Sequence, residues 1–319
     1  MSATANRRLT DQERAERREA DRQHVRQAVE QLRSSEGWRA WLQSRRRFHS
    51  YSLSNQLLIA MARPAATRVA GFRKWLELGY VVRRRPEDVP EGAWAIRIWA
   101  PCPPSRRQLE RWEREGANPD TRPRTYFKIV RVFGDDQVDP LPPPAQPVPL
   151  QQPIHDVDGE QLAPIIPNLA LLADQIGCTI SWEAMSGQCH GYLDPGSWRI
   201  GIDTRLSGNG KVKTLCHELA HALIRLERQP QDPELDYAGE ELVVESVAYT
   251  CVGALGVRSD QNSIPYLASW AECCELEVLE RTAGLIDRLA SRMEMAAAGH
   301  QSERPSTTTP ELAGEGITR

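Results

Sequence analysis

No stretch of this 319-residue chain approaches the roughly 20 apolar residues that a helix needs to cross a bilayer. A helical membrane protein is excluded, and no membrane partner is expected. The amino terminus is polar and lacks the apolar segment of a secretory signal. The seven cysteines are odd in number, form no CxxC pair and include the adjacent Cys273 and Cys274. A disulfide framework is therefore not expected, and reduced thiols in a cytoplasmic setting are. Histidine is scarce too, with seven residues, so two imidazoles at a defined short spacing carry information.

That spacing occurs at His217-Glu218-Leu219-Ala220-His221. Composition alone would produce such a pattern about 0.02 times in a chain like this one. On a helix, residues four apart share a face, so both histidines can bind one Zn²⁺ while Glu218 takes a proton from the water completing its shell. Lys211 to Glu227 has the required period, with Val212, Leu215, Leu219, Ala222 and Leu223 as its stripe, and Gly208 and Gly210 read as a preceding turn. Two surface histidines would satisfy the spacing as well, but both lie in an apolar run where unpaired imidazoles are costly to bury. Zinc is the default cofactor, and the expected carboxylate ligand leaves Mn²⁺ or another divalent metal open. Cys216 adjoins His217 but points about 100° away and is not expected to be a ligand.

A third protein ligand is needed, and Glu241 is the best candidate. It opens a second helical segment, Glu240 to Leu255, with Glu240 and Glu245 as competing choices. Glu245, one turn on, could accept the N–H of a ligating histidine and fix its tautomer. Glu240 reads more simply as an acid favouring a helix N-terminus.

The formal net charge of −3 conceals an asymmetry. Residues 1–135 hold 28 Lys+Arg against 16 Asp+Glu, and the remainder holds 12 against 27. A basic, arginine-dominated half attracts phosphate and can stack on bases. Six of the nine tryptophans (38, 41, 75, 94, 99, 112) lie there. Interleaved rings and cations suit a single strand, although Trp38, Trp41 and Trp75 at helical spacing read as core. Candidate DNA contacts are the basic runs Arg45-Arg46-Arg47, Arg73-Lys74 and Arg83-Arg84-Arg85, with Tyr51 and Asn55 between them.

Four segments follow. Residues 1–135 form a basic domain, flexible over 1–10; 136–155 form a linker whose core is DPLPPPAQPVPLQQP, extended and separating the halves; 156–298 form the HExxH domain; and 299–319 form a disordered tail. Thr10 and Glu13 suggest a capping box. Helices are expected near 11–46, 53–62 and 162–176, the last ended by Gly177. Strands are expected around Trp94 to Ile98, Arg124 to Phe133, Thr179 to Glu183 and Trp198 to Asp203. An edge strand ahead of the active helix could hold a peptide by β-augmentation, and three helices should follow that helix.

GYLDPGSWRIGIDTRLSGNGKVKTLCHELAHA (191–222), followed by ELVVESVAY and YLASWAECCELEVLERTAGLIDR, resembles the metallopeptidase domain of the ArdC antirestriction proteins. It is more distantly similar to the ImmA/IrrE metallopeptidases. Independently, FHSYSLSNQLLIAMARPAATRVAGFRKWLELGYVV (48–82) resembles the amino-terminal domain of the ArdC family, which is associated with single-stranded DNA, and YFKIVRVF fits its closing strand. The resemblance implies Glu241 as ligand and Glu245 as the polar residue four positions on. Two departures stand out: Arg83-Arg84-Arg85-Pro86 replaces a Lys-Gly-Glu-Lys-like turn, and Pro101 to Arg124 looks like an inserted loop.

The expected fold class is α+β in two domains: a small basic α/β domain that binds single-stranded DNA, and a mainly helical zincin-like metallopeptidase domain with a small sheet. One functional reading is an antirestriction protein that coats DNA. The other is a DNA-associated metalloprotease acting on a regulatory or host protein.

Overall fold

The computed structural model describes residues 11–48, 50–148, 150, 155–187, 189–258 and 275–299. The start expected to be flexible (residues 1–10), the Ser/Thr/Pro/Gly-rich tail from Gln301 and the Cys273-Cys274 pair lie outside the described residues.

The chain is a mixed α+β protein of helices and small sheets. It begins with α1 (Asp11–Glu30), a single 3-10 turn and α2 (Ser35–Arg47). The sequence pattern suggests one long helix here, but Ser34 interrupts it by accepting the Gly37 N–H at 3.0 Å as an N-cap. Helix α3 (Leu53–Ala62) follows as expected. Trp38 and Trp41 are fully buried with their rings edge to face at 5.2 Å.

Strand β1 (Val69–Ala70) leads into α4 (Phe72–Glu77) and β2 (Tyr80–Val82), and α5 (Glu91–Trp94) precedes β3 (Ile96–Cys102). The exposed α6 (Arg106–Arg114), opened by a Ser105/Gln108 capping box, separates β3 from β4 (Tyr126–Gly134). Strand β5 (Val138–Pro140) completes this half. The sheet order is β1-β4-β3, antiparallel throughout, and β2 pairs antiparallel with β5. The third expected core tryptophan, Trp75, is fully buried in a small cluster with Tyr80 and Val138.

The second half starts with β6 (His155–Asp156) and α7 (Ile166–Gln175), which Gly177 terminates at φ +82°. Strands β7 (Thr179–Glu183), β8 (Gly191–Asp194) and β9 (Arg199–Asp203) form a sheet of order β7-β9-β8, with β7 parallel and β8 antiparallel to β9. Then come α8 (Gly208–Leu226), α9 (Tyr237–Ala254), β10 (Val257–Arg258), which pairs parallel with β6, and α10 (Leu276–Ala297).

Helix α8 starts three residues earlier than its apolar stripe suggests. Ser207 caps it by accepting the Gly210 N–H at 3.1 Å, and Glu160 accepts the Gly208 N–H at 2.9 Å. A Cβ on Gly208 would come within 2.5 Å of that Glu160 carboxylate and 2.8 Å of Ala163. The glycines expected to form a turn thus form the first turn of the helix.

The proline-rich connector does not hold the halves apart in space. One hydrophobic core runs from Trp38, Trp41 and Leu58 through Val247 and Cys251 to Ile286 and Met293. Helix α2 packs on α9, and the Arg45 side chain, fully buried, reaches α10. No helix among the described residues is long and apolar enough to cross a membrane.

Candidate metal centre

Helices α8 and α9 lie against one another, and their contact sets the site. His217 and His221, one turn apart on α8, bring their rings to a centroid distance of 5.0 Å. From α9, Glu241 reaches both: its Oε2 is 3.8 Å from His217 Nε2 and its Oε1 is 3.5 Å from His221 Nε2. Among the described residues, these three offer ligand atoms that all lie within 4.8 Å of one another.

The opposite nitrogens are held by other carboxylates. His217 Nδ1 lies 3.3 Å from Glu245 Oε1, and His221 Nδ1 lies 2.6 Å from Glu240 Oε1. Each acid favours a proton on Nδ1 and leaves the Nε2 lone pair facing Glu241, the tautomer a metal requires. Glu240 is fixed in turn by Arg225 at 2.6 Å. Two imidazoles and one carboxylate, with their tautomers set from behind, fit a divalent ion with an open coordination position.

Burial and charge follow the same pattern. Burial disfavours the charged form of His217, yet the Glu245 hydrogen bond and the nearby carboxylates hold its pKa above the ordinary value. His221 is lowered, by burial and by repulsion from His217, against the pull of Glu240. Glu218 is 6% exposed, and desolvation pushes its pKa up to about 7. The Leu193 backbone N–H on β8 donates to it. A carboxylate so placed can exchange a proton near neutral pH. Tyr237, at the first position of α9, donates to Glu241 from an 80% exposed ring.

Sequence reasoning missed one role. Glu240 reads as a helix-end acid, but α9 begins at Tyr237 with Asp236 as its N-cap, which turns Glu240 onto His221. The spacing within α9 carries no signal for this, because the partner belongs to another helix. Cys216, as expected, faces away from the site; it is buried with its Sγ 3.7 Å from that of Cys251.

Elemental analysis of the purified chain is expected to find close to one divalent metal, and much less in His217→Ala. Glu241→Ala should also lose it. Full retention there with loss in Glu245→Ala would move the third ligand one turn along α9. Glu240→Ala should bind metal about 10–100-fold more weakly, the usual effect of losing a carboxylate behind a ligating histidine. An unchanged affinity would reduce Glu240 to a partner of Arg225 alone.

The expected DNA contacts divide into two groups. Arg45 is fully buried, with its Nε 2.6 Å from Asp287 and its Nη1 2.7 Å from Glu294. This corrects the expectation of a DNA contact, because the guanidinium is enclosed between two carboxylates of α10. Arg46 donates to the Tyr249 hydroxyl at 3.0 Å and to the Val257 carbonyl, and Arg47 donates to the carbonyls of Pro64, Ala65 and Ala66. Tyr51 donates to the Val69 carbonyl, and Asn55 pins Trp99 by two 2.8 Å bonds. These residues build the fold. Arg73, Lys74, Arg83, Arg84 and Arg85 are exposed; Lys74 pairs with Glu77, Arg83 donates to the Asp136 carbonyl and Arg85 to that of Val89.

Residues 15–133 match the family model described as the N-terminal domain of anti-restriction factor ArdC. Two solved structures of the antirestriction ArdC protein from the R388 plasmid are similar to the chain. The Mn(II)-bound one is 22% identical with a TM-score of 0.44, covering 77% of this chain and 83% of that one. The metal-free one is 19% identical with a TM-score of 0.44, covering 78% and 86%. No curated protein matches.

Proposed function

We propose that this chain, which carries an ArdC-type amino-terminal domain over residues 15–133, is an antirestriction protein that binds single-stranded DNA and bears a zincin-like metallopeptidase centre in its second half. The family match supports the antirestriction reading. The convergence of His217, His221 and Glu241 around one point carries the metallopeptidase reading. Residues of both halves share one hydrophobic core.

A divalent ion, zinc by default, would be held by His217, His221 and Glu241 and would supply Lewis acidity toward a carbonyl and toward water. Glu218 takes the proton of the attacking water and returns it to the leaving amine. Glu245 and Glu240 keep the two imidazoles in register. Strand β8 forms one edge of its sheet beside α8, and an extended peptide can add to such an edge through its backbone.

The exposed cations Arg73, Lys74, Arg84 and Arg85 support the DNA reading. The test uses the full chain, since helices α1–α3 share their core with α8–α10 and a fragment ending at 135 would expose it. Single-stranded oligonucleotides are expected to bind more tightly than duplex, with affinity falling steeply as salt rises. Equal affinity for both forms at every salt concentration would remove the single-strand preference. A second reading, DNA-directed proteolysis as the main activity, is favoured by Glu218, whose shifted pKa suits a general base.

A further inference from the structure

Strands β3 and β4 form an antiparallel ribbon from Ile96↔Val132 to Cys102↔Tyr126. Alternation sends Ile96, Ile98 and Val132 into the core, where they are buried. The other face carries Arg97 directly opposite Arg131, then Trp99 opposite Ile129, then Pro101 opposite Phe127. At the end of the ribbon, Phe127 is 63% and Tyr126 60% exposed, on opposite faces. Burying neither ring, this end of β4 leaves two large aromatic surfaces to solvent beside the exposed cations Arg124, Lys128 and Arg131.

The neighbouring α6 does not share this character. Its Arg106 and Arg111 pair with Glu110 and Glu115 at 2.7 Å, and its Trp112 is occupied by Arg122 and by the Asn118 carbonyl. Exposed cations and free aromatic faces come together at the start of β4.

We infer that the face of β4 bearing Phe127 is a base-stacking platform for single-stranded nucleic acid, with Phe127 taking a base and Arg131, on the same face, taking an adjoining phosphate. This rests on the DNA-binding reading above and assigns residues to it. The chemistry selects a single strand, because only there are base faces open to a ring. The platform is independent of the sequence-derived contacts, which lie on α2–α4 and the β2 exit.

The experiment is fluorescence anisotropy of the full chain with a labelled oligothymidylate long enough to span one such site, about 4–16 nucleotides. Phe127→Ala is expected to weaken binding roughly ten-fold, Phe127→Trp to restore it, and Tyr126→Ala, on the opposite face, to leave it close to wild type. Arg131→Gln should lower the slope of log affinity against log salt by about 1. Irradiation of an oligonucleotide carrying 5-iodouracil should cross-link to the peptide containing Tyr126 and Phe127. Both rings are exposed, and unchanged thermal melting of the variants will establish that the fold is kept.

If the wild type binds the oligonucleotide and Phe127→Ala binds equally well, the platform is overturned while the DNA reading stands. If the wild type binds no single strand, the DNA reading fails and the platform with it. A change in sedimentation at constant DNA affinity would also overturn the platform, by making the rings a contact between copies of the chain.

Discussion

Glu218→Gln is expected to keep the fold and the bound metal while lowering peptide hydrolysis by about 10²–10⁴-fold. Glu218 is not among the residues whose atoms converge on the metal position; those are His217, His221 and Glu241. It lies one residue from His217, enclosed beside β8, with its carboxyl pushed up to about 7 by desolvation. The amide is close to isosteric and can still accept from the Leu193 N–H, but it cannot take a proton from water. Metal content and circular dichroism should therefore match the wild type as turnover disappears. DNA binding should be unaffected, and protection in a restriction-challenge assay should survive, because shielding a strand requires occupancy and not turnover. If the variant binds DNA normally but loses protection, coating is not the mechanism and proteolysis is the main function. If it loses metal, Glu218 has a ligand role that the present geometry does not give it.

Arg45→Ala is expected to destabilise the whole chain by about 3–5 kcal/mol, because it removes the cation from a buried group and leaves two carboxylates without it. The arginine side chain is fully buried, while Asp287 and Glu294 are 21% and 11% exposed. The same cluster includes Ser291, which accepts from Arg45 Nη2 at 3.0 Å, and Gln56, which donates to Asp287 at 2.9 Å and accepts from Trp41. The cluster thus fastens α2 and α3 to α10. Urea denaturation should show a lower midpoint, and combining Arg45→Met with neutral replacements of Asp287 and Glu294 should recover much of the loss, since the uncompensated charges are gone. An Arg45→Ala chain of unchanged stability and weakened DNA affinity would return this residue to the DNA surface that its sequence context suggests.

The cluster of His217, His221 and Glu241 proposed as the metal site was largely legible in the sequence because its main determinants are local. Helical periodicity puts His217 and His221 on one face, and the next apolar segment of the right period offers Glu241 and Glu245 one turn apart. The role of Glu240 was not legible. Adjacent residues on a helix differ by about 100°, and only the angle at which α9 crosses α8 decides that Glu240 meets His221 while Glu241 turns toward both Nε2 atoms. For the same reason the run Arg45-Arg46-Arg47 reads as a basic patch. Three consecutive cations look alike in sequence, yet they point to α10, to Tyr249 on α9 and to the carbonyls after α3.

By itself, the sequence determined what depends on neighbours along the chain: the helix bearing HELAH, the burial of Trp38, Trp41 and Trp75, and the opposite charges of the two halves. The tertiary structure decided what depends on elements far apart in sequence. Desolvation and packing join the halves in one core, convert part of the positive charge of the first half into internal ion pairs, and leave other cations beside bare rings at the start of β4. Charge counted along a chain says how much is present, and burial, which sums contacts from every element at once, says how much of it remains for a partner.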